Sequence, residues 1–503
     1  MYGPLSGHSL NVLATPDSPV VADGPDVAPV VSESDSTAGG SIWALFLGLG
    51  LLMMGNGLNG AIIGVKADTA GFGVTVMGVI VAGFYAGFLL APGTVVRALS
   101  SVGHIRVFAG LASTASSAVL MHAVSVLPVT WILMRFVFGF CAAGLYIVIE
   151  SWLNELSDPA NRGKTLALYM MVSMGGMGIG QSLVAFADPN GFRLFLVSSV
   201  LVSMSLVPMT LAGTTKSPTI RAATPVRFRE LVSNVPTGVV GSFMTGAATG
   251  VSLGLGTVFA TQVGLSLTRT AGFLLAATIG GIVMQFPIGR LSDRIRRRVV
   301  IFGVASIGAS LALIGVVIPP TSPAMLVLMF GIGGCLYPLY SLVVAYTLDW
   351  MGPAKTVGSS ATLMRINGSG ALVGPLVTAP LMAFAGPDWF FWMISGGFAL
   401  VVGFIAFRIL FKKPLPIDRE SRYAPFPARA SAFAFELVTR PVRGAARSMV
   451  GRRITLEGFS IDGLRVDKPA RDRTIESDGV AVDAGSRKRT IHVERPGPRR
   501  TDR

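Results

Sequence analysis

From Ser41 onward the chain alternates long apolar runs with short polar punctuation, and each run extends for about twenty residues or more. A helix of about twenty apolar residues crosses the hydrocarbon core of a bilayer, so each run predicts a membrane span. Twelve are predicted, over residues 41–65, 72–96, 103–124, 127–153, 164–187, 192–213, 235–261, 269–289, 298–318, 322–348, 357–385 and 389–411. Residues 1–40 are rich in Ser, Pro, Asp and Val and have no cationic stretch ahead of an apolar run. They read as a disordered cytoplasmic arm rather than a cleaved signal peptide.

Charge sharpens this picture. Only 13% of the 503 residues are charged and 51% are hydrophobic, against roughly 25% charged in a soluble domain. The net charge of +15 would otherwise raise a nucleic-acid partner, but its distribution speaks against one. Residues 1–40 carry −5, residues 41–411 carry +11 and residues 412–503 carry +9. Within the apolar middle, alternate loops on one side hold 14 cations, the densest group being Arg290, Arg294, Arg296, Arg297 and Arg298. Loops on the other side hold only Lys66, Arg193 and Arg269. By the positive-inside rule both chain ends are expected in the cytoplasm of a multi-pass protein in the inner (plasma) membrane.

A shift of 194 residues lays span 4 on span 10, matching Phe136 with Phe330, Gly139 with Gly333, Cys141 with Cys335, Leu145 with Leu339, Tyr146 with Tyr340 and Glu155 with Asp349. The longest internal connection falls between spans 6 and 7. The expected organisation is therefore a six-helix bundle over 41–213, a cytoplasmic linker over 214–234, a second six-helix bundle over 235–411 and a basic, largely disordered tail over 412–503. Two homologous halves with a site near the midplane are a common construction of secondary transporters. Within the tail, residues 430–438 have the pattern of a short interfacial helix, with a solvated tail as the alternative.

The sharpest local motif is Gly289-Arg-Leu-Ser-Asp293-Arg294-Ile-Arg-Arg297-Arg298, read as a tight helix exit followed by a cation-rich cytosolic loop. It resembles the gate loop of the major facilitator superfamily (MFS), and Arg135-Phe-Val-Phe-Gly139-Phe-Cys-Ala-Ala resembles that family's second motif. Glu150-Ser-Trp-Leu-Asn154, Asp158-Pro-Ala-Asn-Arg162-Gly163 and Asn56-Gly-Leu-Asn59 look like the YcaD-like branch of the family. The resemblance covers roughly residues 41–411. It implies an all-α fold of twelve transmembrane helices in two six-helix pseudo-symmetric halves that work by alternating access, with Gly289, Asp293, Arg294, Arg297 and Arg298 at a cytoplasmic gate. One departure stands out: the expected counterpart in the first half, Gly87-Phe-Leu-Leu-Ala91-Pro92, has Ala where the motif has Asp.

An ionisable group at membrane depth is expensive, so Arg135 and Arg365 are candidate cavity residues, with an internal structural partner as the alternative for Arg135. Glu150 is the proton-coupling candidate, about 22 Å along the helix from Arg135 and expected near the cytosolic mouth. A cap or a pairing with Arg162 is the other reading for it. Asn56, Asn59, Gln181, Thr245, Thr249, Tyr337 and Tyr340 complete the candidate lining, each also readable as interhelical glue. Their helices match those that line the cavity in the family, an implication of the resemblance. Gly370-Ala-Leu-Val-Gly374-Pro375 and the Gly175–Gly180 run read as close-packing or hinge positions.

Two cysteines and four scattered histidines give no metal site, no nucleophile constellation and no cofactor, and Gly178-Ile-Gly180 lies in an apolar helix with no phosphate-loop context. The expected function is secondary active transport of a small polar or anionic solute by a monomer, proton-coupled and not enzymatic. The alternatives are proton-coupled efflux of hydrophobic compounds, or a non-transporting membrane sensor or scaffold acting through its basic tail.

Overall fold

A computed structural model describes residues 33–157, 162–188, 191–211, 226–352, 355–411, 482–484 and 487–489. Its helices, in chain order, are α1 (Glu33–Thr69), α2 (Val74–Val102), α3 (His104–Val124), α4 (Pro128–Leu156), α5 (Arg162–Ser182), α6 (Arg193–Met204), α7 (Leu206–Leu211), α8 (Phe228–Asn234), α9 (Pro236–Gln262), α10 (Leu267–Arg294), α11 (Arg297–Val317), α12 (Ala324–Met351), α13 (Thr356–Ala385) and α14 (Trp389–Phe411). Among the described residues, twelve spans are long and apolar enough to cross a membrane, with α6 and α7 together supplying the sixth. Helices suit this setting because each satisfies its own backbone hydrogen bonds, which lipid cannot do. The short α8 lies within the segment expected to be a linker. A separate unit, Gly444–Arg503, contributes one antiparallel pair, β1 (Val482–Ala484) with β2 (Arg487–Arg489). Residues 33–40, expected in the disordered arm, instead form the first turns of α1, while residues 1–32 of that arm and the proposed tail helix at 430–438 fall outside the described residues.

Glycine sets how each half is pinned together. An ideal Cβ on Gly87 would stand 2.0 Å from Phe136 O, and one on Gly139 would stand 2.0 Å from Phe84 O, so α2 and α4 cross backbone to backbone. A shift of 193 or 194 residues reproduces the crossing in α10 and α12, where Gly280 meets Phe330 O at 1.9 Å and Gly333 meets Ala277 O at 2.0 Å. A second crossing is duplicated too. Gly57 and Gly180 lock α1 to α5 against Met177 O and Met54 O, and Gly246 and Gly370 lock α9 to α13 against Asn367 O and Phe243 O. Even the turn glycines correspond, Gly71 at φ 73° and Gly264 at φ 72°, a backbone region that costs glycine little. Small residues let membrane helices approach closely enough for dispersion forces to hold them.

This register corrects two sequence expectations. Gly87–Pro92 is not a loop but the middle of α2, which runs on to Val102. Proline is tolerated inside a membrane helix, and Ser100 and Ser101 return their hydroxyls to Arg97 O at 2.8 Å and Ala98 O at 3.0 Å, which suits continued helix. Likewise Gly289 is not a helix exit: α10 continues through Arg294, and only Ile295 and Arg296 separate it from α11. With the 193-residue shift, Asp293 corresponds to Ser100, so the first half still has no acid at that position.

Candidate functional site

The halves meet closely at the end of the bundle away from the predicted linker. There a Cβ on Gly64 of α1 would overlap Thr257 Oγ1 of α9, one on Gly254 would overlap Val81 of α2, and one on Gly78 would overlap Ala379 of α13. Thr278 of α10 donates its hydroxyl to Gln181 Oε1 of α5 at 3.1 Å, a polar tie across the same contact. Toward the other end α5 and α10 separate, leaving a space of 510 Å³ walled by Met170, Met171 and Met174 on one side and Ile282, Gln285 and Phe286 on the other.

Beside these contacts at the closed end lies a small cavity of 20 Å³, about the room one water needs. Its wall draws on both halves, with Asn56, Phe84, Tyr85, Arg135 and Gln181 from the first and Gly254, Thr257 and Leu274 from the second. Arg135 is 6% exposed, and its guanidinium lies 5.0 Å from the centre of the Phe84 ring. A cation against an aromatic face recovers part of the hydration it has lost, roughly 2 kcal/mol when desolvated. Asn56 Nδ2 donates to Tyr146 Oη at 2.7 Å, tying α1 to α4. The cavity thus sets one permanent cation beside the amide side chains of Asn56 and Gln181.

Glu150 stands elsewhere on α4 and is completely buried rather than at a mouth. Its Oε1 accepts a hydrogen bond from Tyr169 Oη of α5 at 2.5 Å. Ser151 beside it pairs with His104 Nε2 at 3.1 Å. Of the candidates, Asn56, Arg135 and Gln181 come together at the cavity. Asn59 is fully buried and does not line it, and among the described residues neither its Nδ2 nor its Oδ1 has a hydrogen-bond partner. Thr245 spends its hydroxyl on Gly241 O at 2.7 Å and faces Asn367 Nδ2 at 3.4 Å, while Thr249 is buried one turn further on. Tyr337 packs over Gly281, and Tyr340 joins Leu231, Leu363 and Ile366 in a small apolar cluster. Arg365 is exposed on α13.

The gate residues divide. Asp293 and Arg294 are exposed, Gly289 is buried within α10, and Arg297 and Arg298 are buried in the first turn of α11. Arg297 forms an ion pair with Asp349 of α12 and donates from Nε to Ser292 Oγ at 3.1 Å. Sequence reasoning placed Asp349 only as the repeat mate of Glu155, and it missed Tyr169 altogether. A tyrosine in an apolar run carries no spacing signal when its partner lies on another helix.

The family model described as Major Facilitator Superfamily matches residues 45–284 and 238–456. An uncharacterized MFS-type transporter of Yersinia pestis (strain Pestoides F) is 28% identical over 294 residues, 57% of this chain and 72% of that protein. The uncharacterized MFS-type transporter YcaD of Escherichia fergusonii is 27% identical over 267 residues, 53% of this chain and 69% of that one. Among solved structures, the nucleoside transporter NupG superposes with a TM-score of 0.63 at 12% identity, covering 75% of this chain and all of that one. A bacterial homologue of the human lysosomal transporter Spinster, in an inward-facing conformation, gives 0.55 at 14% identity over 80% of this chain and 97% of that one. With the family match running through both halves, twelve candidate spans among the described residues, and a cavity lined by Arg135 together with residues of both halves, the chain belongs to the major facilitator superfamily and is a membrane secondary transporter of a solute, not an enzyme.

Proposed function

We propose that the protein carries a small polar or anionic solute by alternating access, driven by protons, as a monomer in the plasma membrane with both ends in the cytoplasm. The observation that carries this reading is the Arg135 guanidinium, buried in a wall to which both halves contribute. A permanent cation at that depth has a task, and a site shared between halves changes shape whenever they rock. Contact at one end and separation of α5 from α10 at the other fit one of two alternating states, open on the side where α1 begins and α14 ends. Glu150, buried beside Tyr169 on the same helix as Arg135, supplies the titratable group that proton coupling needs.

A second reading is favoured by the Met170, Met171 and Met174 wall facing Phe286 and Ile282. Thioether side chains adapt to varied apolar shapes, which suits efflux of hydrophobic compounds. Vesicles reconstituted with the protein under an imposed pH gradient decide between these readings. Under the first, a panel of radiolabelled organic anions includes one that accumulates, and Arg135→Ala lowers its uptake at least about tenfold, the scale of one lost buried charge contact. Under the second, only lipophilic dyes move and Arg135→Ala changes the anion panel not at all. A chain that moves neither class and needs residues 412–503 for its cellular effect would make both readings wrong.

A further inference from the structure

A groove of 610 Å³ is cut into the first half where α2, α3 and α4 meet, and every residue lining it belongs to that half. It begins at Ala98 and Val102 in the last turns of α2 and at Arg106 in the first turn of α3. It then runs along α3 past Gly110 to Thr114, and along α4 past Phe136, Val137 and Phe140. From Arg106 to Thr114 is eight residues, about 12 Å of helix rise. One leaflet of hydrocarbon is roughly 15 Å deep, so the groove has the depth of a single leaflet, with its only charged residue at the surface end.

We propose that this groove is a binding site for an anionic phospholipid, with an acyl chain laid between α3 and α4 and the headgroup phosphate held by Arg106. The occupant follows from the surroundings. A concavity facing hydrocarbon is filled by hydrocarbon, since water is absent at that depth. Val102, Val107, Leu111, Phe136 and Phe140 offer a chain continuous apolar contact. At the surface end the Arg106 guanidinium presents the planar donor fork that matches phosphate oxygens, and the exposed Arg97 of α2 adds a second cation near the same end. Arg106 is the one charged residue in the lining, so among the lining residues a headgroup phosphate meets a cation and the ammonium of a zwitterionic headgroup meets no carboxylate. The charge therefore selects a lipid with net negative charge. The inference needs only that the chain spans a bilayer, and it stands whatever solute is carried.

The full-length protein in nanodiscs holding equal phosphatidylglycerol and phosphatidylcholine tests the assignment, with retained lipid read by native mass spectrometry. The wild type is expected to keep phosphatidylglycerol preferentially. Arg106→Gln should lower that preference about fivefold, the scale of one cation near a membrane surface. Gly110→Leu should expel lipid of either kind, because a Cβ at Gly110 has nothing within 4 Å and a larger side chain there occupies the groove itself. Undiminished preference in the Arg106→Gln protein overturns the headgroup assignment, and full lipid retention in the Gly110→Leu protein overturns the groove. Circular dichroism identical to wild type qualifies each variant, and Arg106→Gln, altering an exposed side chain, decides alone if Gly110→Leu misfolds.

Discussion

Tyr169 Oη donates to Glu150 Oε1 at 2.5 Å, with the tyrosine 2% exposed and the glutamate fully buried between α4 and α5. A carboxyl group closed off from water at membrane depth is costly unless its protonation is used or its partners are fixed, and this bond supplies one such partner. The two functions separate in assay. Glu150→Gln preserves shape and removes the titration, so proton-driven accumulation in vesicles should fall at least about tenfold while solute-for-solute exchange persists. Equal losses in the two assays would assign the pair to packing.

Removing the donor instead of the acceptor reports on stability. Tyr169→Phe leaves Glu150 Oε1 without the phenol and should cost about 2 kcal/mol, the scale of a hydrogen bond to a charged group. Thermal denaturation of the purified protein checks this. Because the two residues share one bond, Tyr169→Phe in a Glu150→Gln background should cost distinctly less than in the wild type.

The Arg297–Asp349 ion pair joins the start of α11 to the end of α12, with side chains 0% and 2% exposed. Truncating one member strands the other charge, so Arg297→Ala or Asp349→Ala should destabilise by about 3–5 kcal/mol. Replacing both together, as Arg297→Met with Asp349→Leu, should recover most of that loss, because the penalty comes from the unpaired charge more than from losing the attraction. Heat-inactivation curves of the three proteins side by side make the comparison, and a double variant no better than the singles would contradict it.

The duplicated glycine crossings predict a graded response. Gly139→Val and Gly333→Val place new atoms against Phe84 O and Ala277 O at separations no Cβ tolerates, and both should abolish folded protein in membrane fractions. Gly303→Val, whose Cβ meets nothing within 4 Å, should express at the wild-type level.

The spans were legible in the sequence because lipid forces every backbone polar group to pair within its own segment, so each apolar run falls on a helix, although α1 and α2 extend well past the runs that marked them. The repeat was legible at Phe136 and Gly139 because close helix crossings demand the same small residue in both halves. Arg135 was legible for another reason: a permanent charge in an apolar run stands out against its neighbours. Helix ends were less so, since Pro92 and Gly289, both ordinary stop signals, lie inside continuous helices that neighbouring turns sustain. The partners of Glu150 and Arg297 were not legible at all. Each sits on a different helix, and the rotation of one helix about its axis relative to the next leaves no trace in spacing along the chain.

Alternating access itself is testable at Gly178 and Thr278, on opposite halves. An ideal Cβ on Gly178 lies 3.8 Å from Thr278 Cβ, the mean Cβ separation of a disulfide at about 3.8 Å. Gly178→Cys with Thr278→Cys should therefore cross-link under mild oxidant, holding shut the end where Gln181 already meets Thr278. The only native cysteines among the described residues, Cys141 and Cys335, are both buried and leave the background quiet. If the solute leaves by the end that this contact closes, oxidation arrests transport in reconstituted vesicles and reductant restores it, while either single variant continues to transport in oxidant. Cross-linked protein that still transports at the wild-type rate would mean that the contact between α5 and α10 does not open during the cycle, and the rocking of the halves would have to be sought elsewhere.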